Sequence, residues 1–245
     1  VTDAKKKKVI FCTPSLSGPT APYIKALEDS IPLIVEAGWD EGYAQEIGNP
    51  YISAARADMT RKALDAKADV ICYLDYDLSW DPPDLLKLIE TEGDVVAGTY
   101  RFKKDAEEYM GVMNTLPDGR PRVRADGCVE ALRVPAGFLK VTKEAIHRFM
   151  ASYPELIYGP RYNPSIDLFN HGAHKGTWYG EDYAFCRNWC DAGEKIWVVP
   201  DLNLDHHQEG RPAHHGMPAT LPRVFAGNFH RFMLNLPQPA VAAAA

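Results

Sequence analysis

Two aspartates separated by one tyrosine, Asp75-Tyr76-Asp77, end the apolar run Val70-Ile71-Cys72-Tyr73-Leu74. Residues two apart on an extended strand share a side, so both carboxylates are expected to face one spot just past the strand's end. Two negative charges meeting there repel unless a cation lies between them. Hard carboxylate oxygens suit Mg²⁺ or Mn²⁺, ions that keep coordination positions open for substrate phosphates. The pattern therefore points to chemistry on a metal–diphosphate unit.

The elements that must hold this pair follow from periodicity. Val9–Thr13 reads as a buried strand halted by Pro14 and a Ser/Gly/Pro loop. Helical spacing over Pro22–Ala37 stops at Gly38, and Gly42–Ile47 reads as a short strand. Asn49 is expected to cap a helix with Pro50 at its first position, running to about Ala66. Asp69–Leu74 is the next strand, Pro82-Pro83 opens a helix to Glu90, and Asp94–Tyr100 is a further strand. This alternation with short links predicts an α/β fold with a mainly parallel, Rossmann-like sheet and helices on both faces. Ligands of such sheets bind beyond the carboxyl ends of the strands. That places Thr13 and Pro14 on one rim with Asp75 and Asp77.

After Tyr100 the pattern changes. Short candidate strands (Tyr109–Asn114, Cys128–Val134, Phe138–Val141) predict a small antiparallel lobe. A helix over Lys143–Ser152, a long polar loop to Tyr179, a helix over Glu181–Ala192 closed by Gly193 and a strand over Lys195–Val199 complete the reading. The chain is expected to be a single domain of two halves, about 8–100 and about 101–235.

At 245 residues and 46% hydrophobic content, the chain can bury one large core or two small ones. A net charge of -6 argues against a surface that coats nucleic acid, although Arg101, Lys103, Lys104, Arg120, Arg122 and Arg124 leave a local basic groove open. No apolar run reaches the roughly 18–20 residues that cross a bilayer, and no secretory signal opens the sequence. Lys5–Lys8 reads as a solvated leader or a weak attraction to an acidic membrane. Five cysteines without framework spacing suggest a reducing compartment: the cytoplasm, at a membrane periphery or within a host cell for a viral protein. Cys12 and Cys72 fall in core strands. Cys186 and Cys190 share a helix face, where zinc would need two more ligands. The stretch Ala240–Ala245 is low-complexity.

Four segments in order resemble the glycosyltransferases of the GT-A fold, in the compact bacterial and large-virus, family 2-like form. They are Asn49-Pro50-Tyr51-Ile52-Ser53-Ala54-Ala55-Arg56, Tyr73-Leu74-Asp75-Tyr76-Asp77, Gly180-Glu181-Asp182-Tyr183-Ala184-Phe185-Cys186-Arg187 and the stretch from Ile196 to His206. The resemblance implies metal-dependent transfer of a sugar from a nucleoside-diphosphate-sugar, UDP by default, to a hydroxyl acceptor such as a glycan, a lipid-linked sugar or a modified base. It implies that Asp77 binds Mn²⁺ (or Mg²⁺) directly, and that Asp75 contacts the ribose or the ion's water shell. Tyr76, Thr13, Pro14 and Arg56 would then line the nucleotide site. His206 matches a third metal ligand, with His207 as the substitute one residue on, and imidazole favours Mn²⁺. Asp182 matches the base of an inverting displacement, with Glu181 binding acceptor or sugar. In a retaining enzyme Asp182 would hold the donor sugar instead. Gly137 matches the segment beneath the acceptor.

Each residue also has a plainer reading. Asp75 and Asp77 suit a solvated turn, and Glu181 and Asp182 suit the first turn of any helix. Arg56 could pair with Asp58, and a His-His pair in a polar segment is by default exposed loop. Trp178 and Tyr179 form either a sugar platform or core. His214 and His215 suggest a lid. Two other functions remain. A nucleotidyltransferase would want a glycine-rich basic loop after the first strand, and Thr13–Pro22 has one glycine and no basic residue. A non-catalytic nucleotide-sugar-binding protein would not need all four of Asp75, Asp77, Asp182 and His206.

Overall fold

The computed structural model describes residues 6–211 and 217–235. In chain order the elements are β1 (Lys8–Ser15), α1 (Ala21–Glu36), β2 (Asp40–Ile47), α2 (Ile52–Asp65), β3 (Val70–Leu74), β4 (Leu78–Trp80), α3 (Pro82–Glu90) and β5 (Val95–Ala97). Next come β6 (Val112–Met113), β7 (Val129–Arg133), β8 (Phe138–Thr142), α4 (Lys143–Ser152), β9 (Ile157–Tyr158) and β10 (Ser165–Ile166). β11 (Gly172–His174), β12 (Thr177–Tyr179), α5 (Glu181–Asp191), β13 (Ile196–Val198), β14 (Asn203–Gln208), β15 (Arg223–Asn228) and α6 (Phe229–Asn235) follow. The expected pair His214 and His215 and the stretch Ala240–Ala245 lie outside the described residues.

The central sheet has the order β2-β1-β3-β8-β5-β13-β7-β6. β1 runs parallel to β2 and β3, and β13 runs parallel to β5. β8 enters between β3 and β5 and is antiparallel to both. β3 and β5 therefore point the same way, and their carboxyl ends share a rim with that of β1. Met59 and Ala63 of α2, Ile146 and Phe149 of α4, and Phe185 and Trp189 of α5 bury against one sheet face. Tyr23, Leu27 and Ile34 of α1 with Leu85 and Leu88 of α3 bury against the other. The result is the mixed α/β sandwich that the alternating pattern predicts, its core formed by the apolar strands between two helix layers.

The departures from the sequence reading concern both element types and partners: the loop expected up to Tyr179 carries the short strands β9 to β12, and β4, β14, β15 and α6 were not foreseen. β8 was expected in a separate antiparallel lobe, and it lies near the middle of the main sheet. Strand pairing is decided by contacts distant in sequence, which a local pattern does not carry. The helix expected from Asn49 begins at Ile52, with Tyr51 as its cap residue. Asn49 instead accepts the Tyr51 amide at 3.0 Å on its own Oδ1, a side-chain turn ahead of the helix. Pro50 favours this by biasing the residue before it towards extended backbone.

Two unforeseen strands complete the rim. β4 follows Asp77 after no more than one peptide bond, and β14 pairs antiparallel with both β4 and β15. His206 is therefore on a strand, facing Leu78 in register, rather than in a loop. At the other end of the fold's first unit, α1 is capped by Thr20. Its amide and hydroxyl both donate to the Tyr76 carbonyl at 3.0 Å, tying the Asp75–Asp77 turn to the helix start.

Candidate active site

The strand carrying the aspartates stops at Leu74, so Asp75-Tyr76-Asp77 is a turn, closed by the Leu78 amide on the Asp75 carbonyl at 3.2 Å. The alternation argument from the sequence therefore does not apply, and the two carboxylates have different surroundings.

Asp75 is fully engaged. Its Oδ1 accepts Arg56 Nη2 at 2.9 Å and its Oδ2 accepts the Tyr100 hydroxyl at 3.0 Å. Its amide donates to the Gly137 carbonyl at 2.8 Å. A Cβ at Gly137 would collide with the Tyr100 hydroxyl and the Asp75 carboxylate, so only glycine lets that backbone pass so close. Gly137 was expected beneath an acceptor, and in the structure it backs Asp75.

Arg56 is the centre of this half of the site. It is 2% exposed, and its other terminal nitrogen, Nη1, donates to Glu181 Oε1 at 2.9 Å. The guanidinium lies 5.1 Å from the Phe169 ring centroid, and its Nε has no partner among the described residues. Burial alone would favour losing the proton, but Asp75 and Glu181 outweigh it and raise the pKa further. The arginine is a permanent cation joining two carboxylates from opposite ends of the sequence. Asp58, the plainer partner, is held by Arg61 and Lys62 instead.

Asp77 is held more loosely. Its Oδ2 lies 3.6 Å from His206 Nε2 and accepts a hydrogen bond from the Lys103 ammonium. Burial pushes the Asp77 carboxyl up, and the nearby His206 ring and the Lys103 ammonium outweigh that, leaving it below its ordinary value. His206 is 7% exposed, and its Nδ1 lies 2.8 Å from the Arg101 carbonyl. A carbonyl can only accept, so Nδ1 carries a proton and Nε2 is the nitrogen presented to Asp77. His207 points to the other face of β14, 2.7 Å from Ser79 Oγ, so it is no substitute for His206. The Tyr100 and His206 rings meet edge to face with centroids 5.0 Å apart, linking the two halves.

Asp182 stands beside Glu181 in the first turn of α5. Its pKa is raised to about 6, first by burial and then by the neighbouring Glu181 charge. A carboxyl tuned in this way is a competent proton acceptor near neutral pH. Glu181 already accepts Arg56, so Asp182 is the less encumbered of the two.

Other expected site residues lie further out. The Thr13 hydroxyl bonds Tyr23, and Pro14 pairs with Glu46 in the β1–β2 ladder, both buried at the end of β1. Tyr76 is half-buried. Trp178 is 71% exposed on β12, and Tyr179 is half-buried on the same strand. Their hairpin is fixed to the start of α2, where His171 Nδ1 lies 3.1 Å from Ser53 Oγ. Cys186 exchanges hydrogen bonds with the Val134 backbone and has a packing role. Of the basic run suggested as a nucleic-acid groove, Arg120 and Arg124 are ion-paired with Asp118 and Asp126.

Sequence reasoning passed over Tyr100 and the placement of Lys103. The signal for Tyr100 was present: a hydroxyl-bearing residue three positions past β5, on the rim already inferred for β1 and β3.

A divalent cation fits the Asp77 half. His206 Nε2 and Asp77 Oδ2 face each other as two electron-rich groups, a pairing that needs a proton or a cation between them. The Lys103 ammonium already supplies one positive charge there. Four carboxyl groups (Asp75, Asp77, Glu181, Asp182) meet two basic side chains (Arg56, Lys103), so the cluster favours a further positive charge. Among the described residues no three acidic, histidine or cysteine side chains gather into a closed cage. A Mn²⁺ or Mg²⁺ ion here would take Asp77 and His206 from the protein and its remaining ligands from phosphate and water.

No protein-family model and no curated protein matches the sequence. Among solved structures, the chain is similar to GalNAc-T7 in complex with UDP, GalNAc and Mn²⁺, at 11% identity and a TM-score of 0.48 over 83% of this chain and 44% of that one. It is also similar to a glycosyltransferase involved in glycosylation of the major capsid of PBCV-1, at 13% identity and a TM-score of 0.33 over 58% and 62% of the respective chains. The chain thus spans less than two thirds of either protein.

Proposed function

We propose that this protein is a GT-A-type glycosyltransferase that uses Mn²⁺ or Mg²⁺ to transfer a sugar from a nucleoside-diphosphate-sugar, UDP first among the candidates, to a hydroxyl acceptor. The observation that carries the reading is the facing of Asp77 and His206 beside the clamped Asp75 and the raised-pKa Asp182, on the rim where open α/β sheets bind ligands.

Asp77 and His206 would hold the cation, which when bound would supply Lewis-acid stabilisation of the departing diphosphate. Asp75, held rigid by Arg56 and Tyr100, has lone pairs left on its two oxygens to orient donor hydroxyls. Tyr100 remains a phenol, because burial and Asp75 hold its pKa well above the usual range. Asp182 removes the acceptor proton as the new glycosidic bond forms and the bond to the diphosphate breaks, giving inversion in one displacement. Glu181, bonded to Arg56, fixes the start of α5 so that Asp182 keeps its position. Residues of the first half, about 8–100, mostly serve the nucleotide, and those of about 101–235 the acceptor, with His206 and Lys103 reaching back. No described helix is long and apolar enough to cross a membrane, and the five free cysteines suit a reducing compartment such as the cytoplasm.

Calorimetry with UDP, GDP and dTDP, each with and without Mn²⁺, tests the scheme. At least one diphosphate should bind with metal and lose most of its affinity without it. Metal-independent indifference to all three would overturn the assignment.

A further inference from the structure

We infer that the acceptor carries an anionic group, a phosphate or a carboxylate, gripped by Arg133 and Arg187 at the Asp182 end of α5. The word acceptor rests on the transferase reading; the anion site itself does not.

Two guanidiniums lie over the Tyr179 ring, Arg133 at 5.5 Å and Arg187 at 4.5 Å from its centroid. Arg133 also lies 5.6 Å from the Tyr183 ring. Both arginines are half-buried. Neither has a carboxylate within 4.0 Å among the described residues. Arg56, Arg61, Arg120, Arg124, Arg148 and Arg223 are ion-paired, whereas Arg101, Arg122, Arg161, Arg211 and Arg231 also lack a carboxylate partner among the described residues but have no second guanidinium on a shared ring. Arg187 directs Nε and Nη2 to Asn188 Oδ1, at 3.1 and 2.9 Å, which is a neutral partner.

Stacking on an aromatic face fixes a guanidinium's position while leaving donors at its edge for a planar or tetrahedral anion. Two like charges partly withdrawn from water around one ring repel each other, and an anion from outside relieves both. Tyr179 and Tyr183 bracket Glu181 and Asp182, and the Tyr183 amide donates to Asp182 Oδ1 at 2.7 Å. The cluster therefore adjoins the proposed base. The first turn of α5 adds the positive end of a helix.

Charge in the rest of the site strengthens the case. Asp75, Asp77, Glu181 and Asp182 would repel an anionic acceptor, and two arginines without a carboxylate partner offset that repulsion. A neutral sugar would need neither.

Calorimetry of glucose, glucuronate and glucose 6-phosphate against the full chain, with and without UDP and Mn²⁺, is the test. Both anionic sugars should bind about tenfold or more tightly than glucose. R133Q and R187Q should reduce them to the level of glucose and leave UDP–Mn²⁺ affinity unchanged. R187K, which keeps the charge without the planar fork, should fall between, and guards against a folding defect in R187Q. The stronger of the two anions identifies the source as phosphate or carboxylate. Equal affinity for all three sugars, or an anionic preference untouched by either glutamine variant, overturns the inference. Loss of UDP binding with the anionic preference intact would break the transferase assignment and leave the anion site standing.

Discussion

Two carboxylates one residue apart occupy opposite regimes. Around Asp75 every contact is committed: a buried arginine, a buried phenol and a glycine carbonyl hold the side chain and its amide. Around Asp77 the positive charge comes from Lys103, whose side chain is 29% exposed and hangs from a loop between β5 and β6. The first arrangement is preorganised, since the Arg56 fork cannot leave without stranding two acids. The second is exchangeable, because a lysine can swing away and let another cation take its place. On the proposed reading, a rigid centre beside a replaceable counter-charge suits a site whose ion and nucleotide would arrive and depart in each cycle.

The sharpest break of this contrast is D77N, which keeps the shape and removes the charge. Sugar transfer should fall on the order of 10²–10³-fold or more, with metal-dependent UDP binding lost and the melting temperature little changed. An unaltered metal requirement would place the ion elsewhere. R56M acts on the rigid half and should fail differently. It leaves Asp75 and Glu181 without their shared cation, for a stability loss of about 3 kcal/mol in chemical denaturation. If R56M unfolds no more easily than D77N, the distinction between the halves is wrong.

Asp182 sharpens the picture through pH. Its pKa of about 6 lies above the ordinary carboxylate value, so the fold favours the neutral form. That stabilisation is complete below about pH 4 and is lost as pH rises through about 6. Transfer rate should show the reverse trend, dropping about tenfold per unit below pH 6 because the base must be ionised. D182N should melt higher than the native chain at pH 8, with the difference vanishing near pH 4, while transfer is abolished. The smallest effect is expected for K103M. Removing the competing ammonium should tighten Mn²⁺ binding to the nucleotide-free protein a few-fold, about 1 kcal/mol, read from the free-ion resonance signal. Weaker Mn²⁺ binding in K103M would show that the lysine supports the ion rather than competing with it.

Much of the frame was legible from local pattern. The helix over Lys143–Ser152 was bounded to the residue, and that over Glu181–Ala192 to within one, because caps and apolar spacing are short-range signals. Asp75 and Asp77 were singled out on type and position, and Arg56, Glu181, Asp182 and His206 through the family resemblance; Arg56 joins Asp75 to Glu181, and His206 faces Asp77. What sequence could not indicate was which carboxylate would be free. Asp75 and Asp77 look equivalent in the chain, and the strand rule assigned them to one side. The turn after Leu74 and the arrival of Arg56 on one and Lys103 on the other separated them.

The order of residues by itself determined the long helices, the core strands of the central sheet, the rim of strand ends and the inventory of acids, arginines and histidines near it, since each depends on neighbours within a few positions. Only the tertiary structure decided the partners: Arg56 with Glu181 across 125 residues, His206 with Asp77 through the pairing of β14 with β4, and Arg133 with Arg187 around one tyrosine ring. Those contacts are set by how sheets and helices pack, and a hydrogen bond or ion pair is lost within an ångström or two of misplacement.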